Sequence, residues 1–477
     1  MTRIPSLLRY DGRFELPQGL FDDLELRGLM SSYAVEVMRR PCGAAQIPAR
    51  QELFRCLEDE AFWARLHMFH VKLQSFDKLL SLVGKDEGIP DLLLRLRILE
   101  AYADIGDEAE SFCDGGKLLF EVAEYFRGQH EMREQLRAAL VQAFECANAW
   151  RSLVISVSEK WTLTTDTAPK SYETQLRAAI TNCGLSLPDK KKKLDERLDP
   201  DLSRAVSQLF ANEIEKIREI LRPFEGLLLS EIVGLRREIG FFLEIRDLVR
   251  RAEKAEYDIC YPRVAEDRRC LVHGLRDAAL VDSGRPVVAN DTYFEPDESF
   301  FFVVGANGGG KTTYLRAVGA ALVMFLSGCP IFAEEAEIYP YTKILAHFPA
   351  DERFVGVGRL DEERGRVEAI TADADEDCFY LFNETFGSTD DERGCQLTRE
   401  LACRMQENKC AGLYVTHFRQ AVDKDFPTLA AVVDEADSSI RTYRIRRQRD
   451  NLSSYAADIL RKYGLDEQTL AKRREQL

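Results

Sequence analysis

The stretch that decides the fold is FFVVGANGGGKTTYL, from Phe301 to Leu315. Four apolar residues lead into a glycine, three successive glycines precede a lysine, and the residues after the lysine have helical apolar spacing. The central GANGGGKT, Gly305 to Thr312, matches the pattern G-x-x-x-x-G-K-[ST], with an apolar strand-like run before it and a helical run after it. This context predicts a phosphate-binding P-loop.

Phosphate chemistry explains these residue types at this spacing. Glycines let the backbone turn tightly, so that successive N–H groups converge on phosphate oxygens, and the following helix adds its positive end. Lys311 would reach the β and γ phosphates of ATP, and the Thr312 hydroxyl would be a ligand of Mg²⁺. The alternative is a chance glycine-rich turn, which the flanking strand and helix disfavour. The predicted ATP-binding residues are Gly305, Ala306, Asn307, Gly308, Gly309, Gly310, Lys311, Thr312 and Thr313.

A second apolar run ends in polar residues within DCFYLFNETFGS, from Asp377 to Ser388. In a P-loop ATPase such a strand end lies beside the phosphates, where an acid holds the Mg²⁺ shell and a glutamate polarises the attacking water. Glu384 suits the glutamate's role and is predicted to be catalytic. Asn383 stands at the acid's position and is predicted to complete the metal site with Thr312, although an amide contributes no negative charge. A polar strand end without chemistry is the alternative.

A third short apolar run, GLYVTHF, ends in Thr416 and His417. A single histidine is more often structural than catalytic. However, the carboxyl ends of parallel strands form the edge at which such sheets bind ligands. We therefore predict that His417 senses the γ phosphate.

The chain changes character near residue 257. Before it, apolar residues recur with helical period from Leu53 to about Val157 and again from Leu202 to about Arg250, where Pro223 and Gly226 are expected to break the helix. Between them, residues 161–200 form a less regular tip. From Phe301 onward, strand-like and helical runs alternate. The expected fold is thus multidomain: an all-α domain at residues 1–256, followed by an α/β P-loop NTPase domain at 257–477.

Composition restricts the classes of function. No apolar run approaches the roughly 20 residues that span a bilayer, and the amino terminus lacks a secretory signal, so a cytoplasmic protein without membrane contact is expected. Twelve cysteines without a CxxC pair fit reduced thiols. The net charge of −16 disfavours any DNA contact that is not local. Two basic stretches are candidates, at residues 189–198 (DKKKKLDERL) and 441–449 (RTYRIRRQR), and a merely solvated face is the alternative for each.

Taken together, GANGGGKTTYLRAVG, LFNETFGSTDDERG and YVTHF resemble the ATPase domain of the MutS DNA mismatch repair family. GLRDAAL and PVVAND resemble its strands before the P-loop, and SSYAADILRKYGLDEQTLAKRREQL resembles its closing helical segment, a dimerisation element. The resemblance covers about Tyr257 to Leu477. The helical half is similar to the family's core, lever and clamp only in architecture, with the tip as the clamp.

The resemblance implies a homodimer with two composite ATP sites and levers that clamp duplex or branched DNA according to nucleotide state. It implies that Glu384 activates water, that His417 positions water or phosphate, and that the loop with Ser388, Thr389 and Asp390 faces the dimer partner. The predicted DNA-contacting residues, at the tip, are Lys190, Lys191, Lys192 and Lys193.

The chain departs from the family's pattern at several positions. Because the helical pattern begins by about Leu53, the family's mismatch-reading and connector domains are not expected here. Val287 stands where an adenine-stacking aromatic residue is expected, and GRLDEERGRVEAIT replaces the serine-bearing loop that reaches the partner's nucleotide. We therefore expect a short MutS-like ATPase acting in DNA mismatch repair or in related repair or recombination, with hydrolysis slowed by Asn383. The alternative is a nucleotide-gated interaction protein with little DNA binding or hydrolysis.

Overall fold

The computed structural model describes most of the chain. The described residues are 3–10, 14–83, 89–151, 153–156, 162–165, 208, 210–227, 229–349, 359–387, 389–422, 426–434, 437 and 440–448. No helix within these ranges combines the length and the apolar character needed to cross a bilayer. Outside them lie Lys190 to Lys193, most of the 161–200 tip, Ser388 and the carboxyl-terminal segment from residue 449.

The elements follow one another in this order. The helices are α1 (Gln18–Asp23), α2 (Ser32–Met38), α3 (Ile47–Cys56), α4 (Glu60–Ser81), α5 (Ile89–Ala109), α6 (Gly116–Gly128), α7 (His130–Arg151), α8 (Ala211–Leu221), α9 (Leu229–Lys254), α10 (Ala278–Asp282), α11 (Lys311–Leu326), α12 (Arg359–Ile370) and α13 (Asp391–Glu407). The strands are β1 (Leu153–Ser156), β2 (Thr162–Thr165), β3 (Arg263–Val264), β4 (Cys270–Leu275), β5 (Asn290–Phe294), β6 (Phe300–Gly305), β7 (Glu335–Ile338), β8 (Lys343–His347), β9 (Cys378–Asn383), β10 (Ala411–Val415), β11 (Thr428–Val433) and β12 (Arg441–Arg447).

The chain divides into two compact units that interleave along the sequence. The first comprises Met1–Leu7 and Glu60–Ile239, and the second comprises Leu8–Asp59 and Gly240–Leu477. This division differs from the expected single boundary between residues 256 and 257. One border falls inside α9, and residues 8–59 belong with the sheets instead of with the other helices.

The first unit is built mainly from amphipathic helices. In α4 the buried residues are Phe62, Leu66, Phe69, Leu73 and Phe76, at the helical spacing that the sequence shows. The periodic run from Leu53 is interrupted at residues 57–59, so that α3 and α4 are separate helices. The expected break at Pro223 and Gly226 is present, because α8 ends at Leu221, a 3₁₀ turn containing Pro223 follows, and α9 begins at Leu229.

The expectation of an all-α amino-terminal part needs a correction. After α7, strands β1 and β2 pair antiparallel, with Leu153 opposite Thr165 and Ser156 opposite Thr162. These segments, LVIS and TLTT, are rich in β-branched residues, which restrict side-chain rotamers in helices and favour strands. The helical period therefore ends at Arg151 and not at Val157.

The second unit contains a six-stranded sheet in the order β12-β11-β6-β10-β9-β8. From β11 to β8 the neighbouring strands are parallel, and only the edge strand β12 is antiparallel to its neighbour. Strands β6, β9 and β10 are buried over nearly their whole length, as expected for parallel strands covered on both faces. A four-stranded sheet in the order β3-β7-β4-β5 belongs to the same unit.

Residues 8–59 pack on α11, the helix that follows the P-loop. The Cys42 amide donates to the Leu326 carbonyl at 3.0 Å, and the buried Arg50 guanidinium donates to the Ser327 carbonyl at 2.9 Å. Nearer the P-loop, Arg316 Nε donates to the Asp23 carbonyl at 2.9 Å. A covered α11 accounts for the almost continuous burial of this helix, from Tyr314 to Leu326, which the sequence shows only as an apolar run.

Candidate nucleotide-binding site

The glycine-rich loop lies between β6 and α11 of the six-stranded sheet. Gly305 ends β6 with φ at 131°, and a Cβ there would lie 2.9 Å from the Cβ of Ala431 on the neighbouring strand β11. Gly310, with φ at 90°, is the N-cap of α11. The amide of Gly309 donates to the Ala306 carbonyl at 3.1 Å and closes the turn. The first N–H groups of α11 therefore point out of the helix at this loop, where an anion can accept from them.

Lys311 is the first residue of α11 and its side chain is folded over the loop. Its Nζ donates to the Gly305 carbonyl at 3.1 Å and to the Ala306 carbonyl at 3.2 Å. Burial lowers the pKa of Lys311 from its ordinary value; the carboxylate of Glu384 opposes this shift, and the cations of Arg441 and Arg419 add to it. A buried ammonium held by neutral carbonyls gains from an anionic ligand, because a negative charge offsets its lost hydration.

The two residues predicted as metal ligands lie together. Thr312 Oγ1, on the first turn of α11, donates to Asn383 Oδ1, at the end of β9, at 3.1 Å. Strand β10 separates β6 from β9 in the sheet, so that Thr312 reaches across one strand to make this contact. The pair offers two neutral oxygens, which are suitable ligands for Mg²⁺ or for its bound water.

Glu384 begins a turn directly after β9. Its amide donates to the Val415 carbonyl at 2.8 Å, which extends the β9–β10 ladder by one residue. Its φ is 48°, in the left-handed region, and its side chain is partly buried. The electrostatic influence of its carboxylate on Lys311 places it within range of the P-loop. Glu384 thus lies at the carboxyl edge of the sheet with Asn383, as the sequence predicts.

His417 follows β10 at the same edge. The Thr416 amide donates to the Val303 carbonyl at 3.2 Å and thereby continues the pairing of β10 with β6. The imidazole of His417 is exposed, and its Cε1 lies beside the turn after Glu384: a Cβ placed on Gly387 would approach it to 3.1 Å. The structure therefore brings His417 next to the turn that carries Glu384.

Two arginines near Lys311 were missed by the sequence analysis as site residues. Arg419 opens the 3₁₀ turn Arg419–Ala421 after His417, and Arg441 opens β12 opposite Val433. Each lies close enough to Lys311 for its charge to help lower the pKa of that lysine. Arg419 carries no motif signal. Arg441 lies in the basic stretch RTYRIRRQR, for which the sequence indicates only a DNA contact or a solvated face.

Tyr443 is the third missed residue, and it lies beside the P-loop. Its side chain is 52% exposed, and a Cβ placed on Gly310 would lie 3.5 Å from its Cδ1. The backbone of Tyr443 has a φ of 57°, and two hydrogen bonds to Asn290 stabilise it. The side-chain oxygen of Asn290 accepts from the Ile445 amide at 2.7 Å, and its nitrogen donates to the Tyr443 carbonyl at 3.1 Å. An exposed aromatic ring in an unusual backbone conformation next to a P-loop is a candidate surface for a nucleobase.

The remaining predicted residues have the following positions. Thr313 is on the first turn of α11, and Asn307 and Gly308 are exposed in the loop. Asp390 is the N-cap of α13 and accepts from the Arg393 amide at 2.9 Å, with Thr389 next to it. Of the segment GRLDEERGRVEAIT, expected as a loop, residues Arg359–Ile370 form helix α12.

The part of the chain that contains this site is similar to known proteins. The family model for MutS domain V matches residues 301–476. The chain is 25% identical over 260 residues to Endonuclease MutS2 of Streptococcus pyogenes serotype M18 (strain MGAS8232), which covers 53% of this chain and 33% of that protein. It is also 25% identical over 295 residues to Endonuclease MutS2 of Streptococcus uberis (strain ATCC BAA-854 / 0140J). This alignment covers 60% of this chain and 37% of that protein. The match thus spans about a third of the length of these relatives.

Proposed function

We propose that this chain, whose residues 301–476 match the family model for MutS domain V, is a cytoplasmic MutS-family ATPase whose nucleotide state controls DNA binding in DNA repair. The main observation that supports this proposal is that Lys311, the Thr312–Asn383 pair and Glu384 lie together at one edge of the sheet. In P-loop ATPases these positions supply phosphate binding, metal binding and water activation.

ATP binding is proposed to use the loop from Gly305 to Thr313. The first N–H groups of α11 and the Lys311 ammonium would contact phosphate oxygens, with Arg419 and Arg441 adding positive charge nearby. The ring of Tyr443 would lie against the adenine. This assignment compensates for Val287, which offers no aromatic surface.

Mg²⁺ is proposed to bind beside Thr312 and Asn383, whose oxygens are 3.1 Å apart and fit a hard cation. When bound, the metal neutralises charge that develops on the phosphates. Asn383 would hold the metal or its water shell through its amide oxygen without adding charge, so the phosphates would balance most of the metal's charge.

Hydrolysis is proposed to begin with Glu384 accepting a proton from the attacking water, while His417 orients that water or the γ phosphate. Lys311 and the helix-end N–H groups stabilise the charge on the transferred phosphoryl group. Without an aspartate at position 383, turnover is expected to be slow.

The assembly is proposed to be a homodimer, with the loop at Ser388, Thr389 and Asp390 facing the partner and the first, mainly helical unit acting as lever and clamp. Lys190 to Lys193 at the tip would contact DNA phosphates. The second candidate function is a nucleotide-gated protein-interaction switch, and the net charge of −16 favours it.

Two measurements test these proposals. Equilibrium binding of ATP with Mg²⁺ is expected for the wild-type protein and should weaken about ten- to hundredfold in Lys311→Ala, because hydrogen bonds to charged groups contribute about 1.5–3 kcal/mol. The exposed Lys254→Ala is the control. Absence of ATP binding by the wild-type protein would exclude the proposal.

DNA binding is tested by titrating salt with duplex and four-way-junction DNA, with and without ATP. The logarithm of affinity should fall with the logarithm of salt by about 0.9 for each phosphate contact. Replacing all four tip lysines by alanine should reduce that slope. Wild-type protein that binds ATP but no DNA would favour the interaction switch.

A further inference from the structure

The turn that carries Glu384 has an unusual backbone. Two of its residues, Glu384 and Phe386, have positive φ values of 48° and 67°. Neither is a glycine, and the left-handed conformation of an aromatic residue is rare and costs free energy. Such a conformation persists only where surrounding contacts determine it, so the contacts of this turn decide where the Glu384 carboxylate points.

Four elements of the second unit hold this turn. In strand β10, the Val415 carbonyl accepts a hydrogen bond from the Glu384 amide, and the Tyr414 hydroxyl donates to the Thr385 carbonyl at 3.1 Å. Thr398 of α13 contacts the Tyr414 hydroxyl at 3.1 Å. The other two elements, α12 and β8, provide the contacts considered next.

Helix α12 contributes Glu363, whose side chain is 5% exposed. Its Oε1 accepts from the Phe386 amide at 3.0 Å, in a buried contact between residues 23 positions apart. A buried charge-assisted hydrogen bond is stronger than a neutral one. It therefore fixes the strained residue Phe386 directly and Glu384, two positions away, through the short turn.

Strand β8 contributes His347, which is buried at the strand's carboxyl end. Its Nδ1 lies 3.0 Å from the hydroxyl of Thr385, the residue between the two strained positions. Burial lowers the pKa of His347, while the nearby Glu363 carboxylate opposes this shift. Among the described residues, its Nε2 has no hydrogen-bond partner, although it is buried. An unsatisfied buried nitrogen is costly.

We propose that Glu363 and His347 are positioning residues for Glu384. They hold Phe386 and Thr385 in place and thereby keep the Glu384 carboxylate aimed at the attacking water. Because α12 carries Glu363, the position of this helix sets the activity of the site. This inference rests on the proposed ATPase function.

The test compares ATP affinity with turnover in variants of the full-length protein. Glu363→Ala should lower kcat about tenfold or more, because small misplacements of catalytic groups are costly, while the Kd for ATP stays within about twofold of wild type. Glu363→Gln retains an acceptor oxygen and should restore most of the turnover. The exposed neighbour Glu362→Ala, on the same helix, should leave both quantities unchanged.

A second pair of variants covers the case in which Glu363→Ala does not fold. Thr385→Val removes the hydroxyl that contacts His347 at nearly constant volume and should also lower kcat, whereas Thr385→Ser should retain it. If the wild-type protein hydrolyses ATP and kcat is unchanged in Glu363→Ala or in Thr385→Val, this inference is overturned while the proposed function stands. A wild-type protein that neither binds nor hydrolyses ATP would overturn the proposed function as well.

Discussion

The hydroxyl of Thr312 lies 3.1 Å from the amide oxygen of Asn383 and donates a hydrogen bond to it. The contact joins the helix after the P-loop to the end of β9. In a site that holds a metal between these elements, an amide supplies a dipole where a carboxylate would supply a full charge. The electrostatics of the site therefore depend on which of the two side chains stands at position 383.

Asn383→Asp should strengthen metal binding. A carboxylate interacts with Mg²⁺ more strongly than an amide does, and we expect the Mg²⁺ concentration needed for half-maximal ATP binding to fall about tenfold, with kcat rising. A magnesium titration of ATP binding and turnover measures both. Asn383→Ala is the comparison and should shift the metal requirement in the opposite direction; equal requirements in all three proteins would remove position 383 from the metal site.

The lowered pKa of Lys311 should make ATP binding sensitive to alkaline pH. Its folded-state pKa lies below the ordinary value of 10.5, so the ammonium loses its proton, and with it its charge, before an exposed lysine would. Affinity for ATP should therefore fall as pH rises toward 10.5. In Lys311→Arg the guanidinium stays protonated, so its affinity should change little over that range. Parallel pH profiles for the two proteins would contradict the assignment.

Tyr443 should contribute to affinity through the base and not through the phosphates. Stacking of an aromatic residue on a base is worth about 1–3 kcal/mol, so Tyr443→Ala should weaken ATP binding by about tenfold. Binding of inorganic tripolyphosphate should be unaffected, and Tyr443→Phe should behave as wild type. Tyr293→Ala removes a similarly exposed ring from β5 and is the matched control. Equal losses for ATP and tripolyphosphate would argue against base contact.

The buried Arg133 should be important for the stability of the helical unit. Its guanidinium is fully buried and contacts Asp107 at 3.0 Å as well as Glu110. Asp107 and Glu110 are 43% and 24% exposed, so Arg133→Met leaves both carboxylates in reach of water and removes chiefly the charge-assisted hydrogen bonds of Arg133. Such a bond contributes about 1.5–3 kcal/mol, so the variant should lower the thermal unfolding midpoint. Arg137→Met, which removes a half-buried partner of Asp104 and Asp107, should cost less than about 1 kcal/mol. Similar midpoints for the two variants would contradict this expectation.

The sequence predicts the P-loop, the strand ends at Asn383 and His417, and the break near Pro223 because each depends on a short local pattern. It does not predict that residues 8–59 pack on α11, because the period of a helix shows which face is apolar but not which partner covers it. Tyr443 was missed for a similar reason. Its place beside Gly310 follows from the antiparallel return of β12 at the sheet edge, a pairing between distant residues.

The packing of residues 8–59 on α11 bears on how the ATPase region can be studied in isolation. A fragment that starts at residue 257 would lack Leu24, Cys42 and Arg50. The apolar side of α11 that these residues cover would then be exposed to water. Such a fragment should aggregate when expressed. Supplying residues 8–59 as a separate polypeptide should improve its solubility, which would show that this early segment is a structural part of the folded ATPase region.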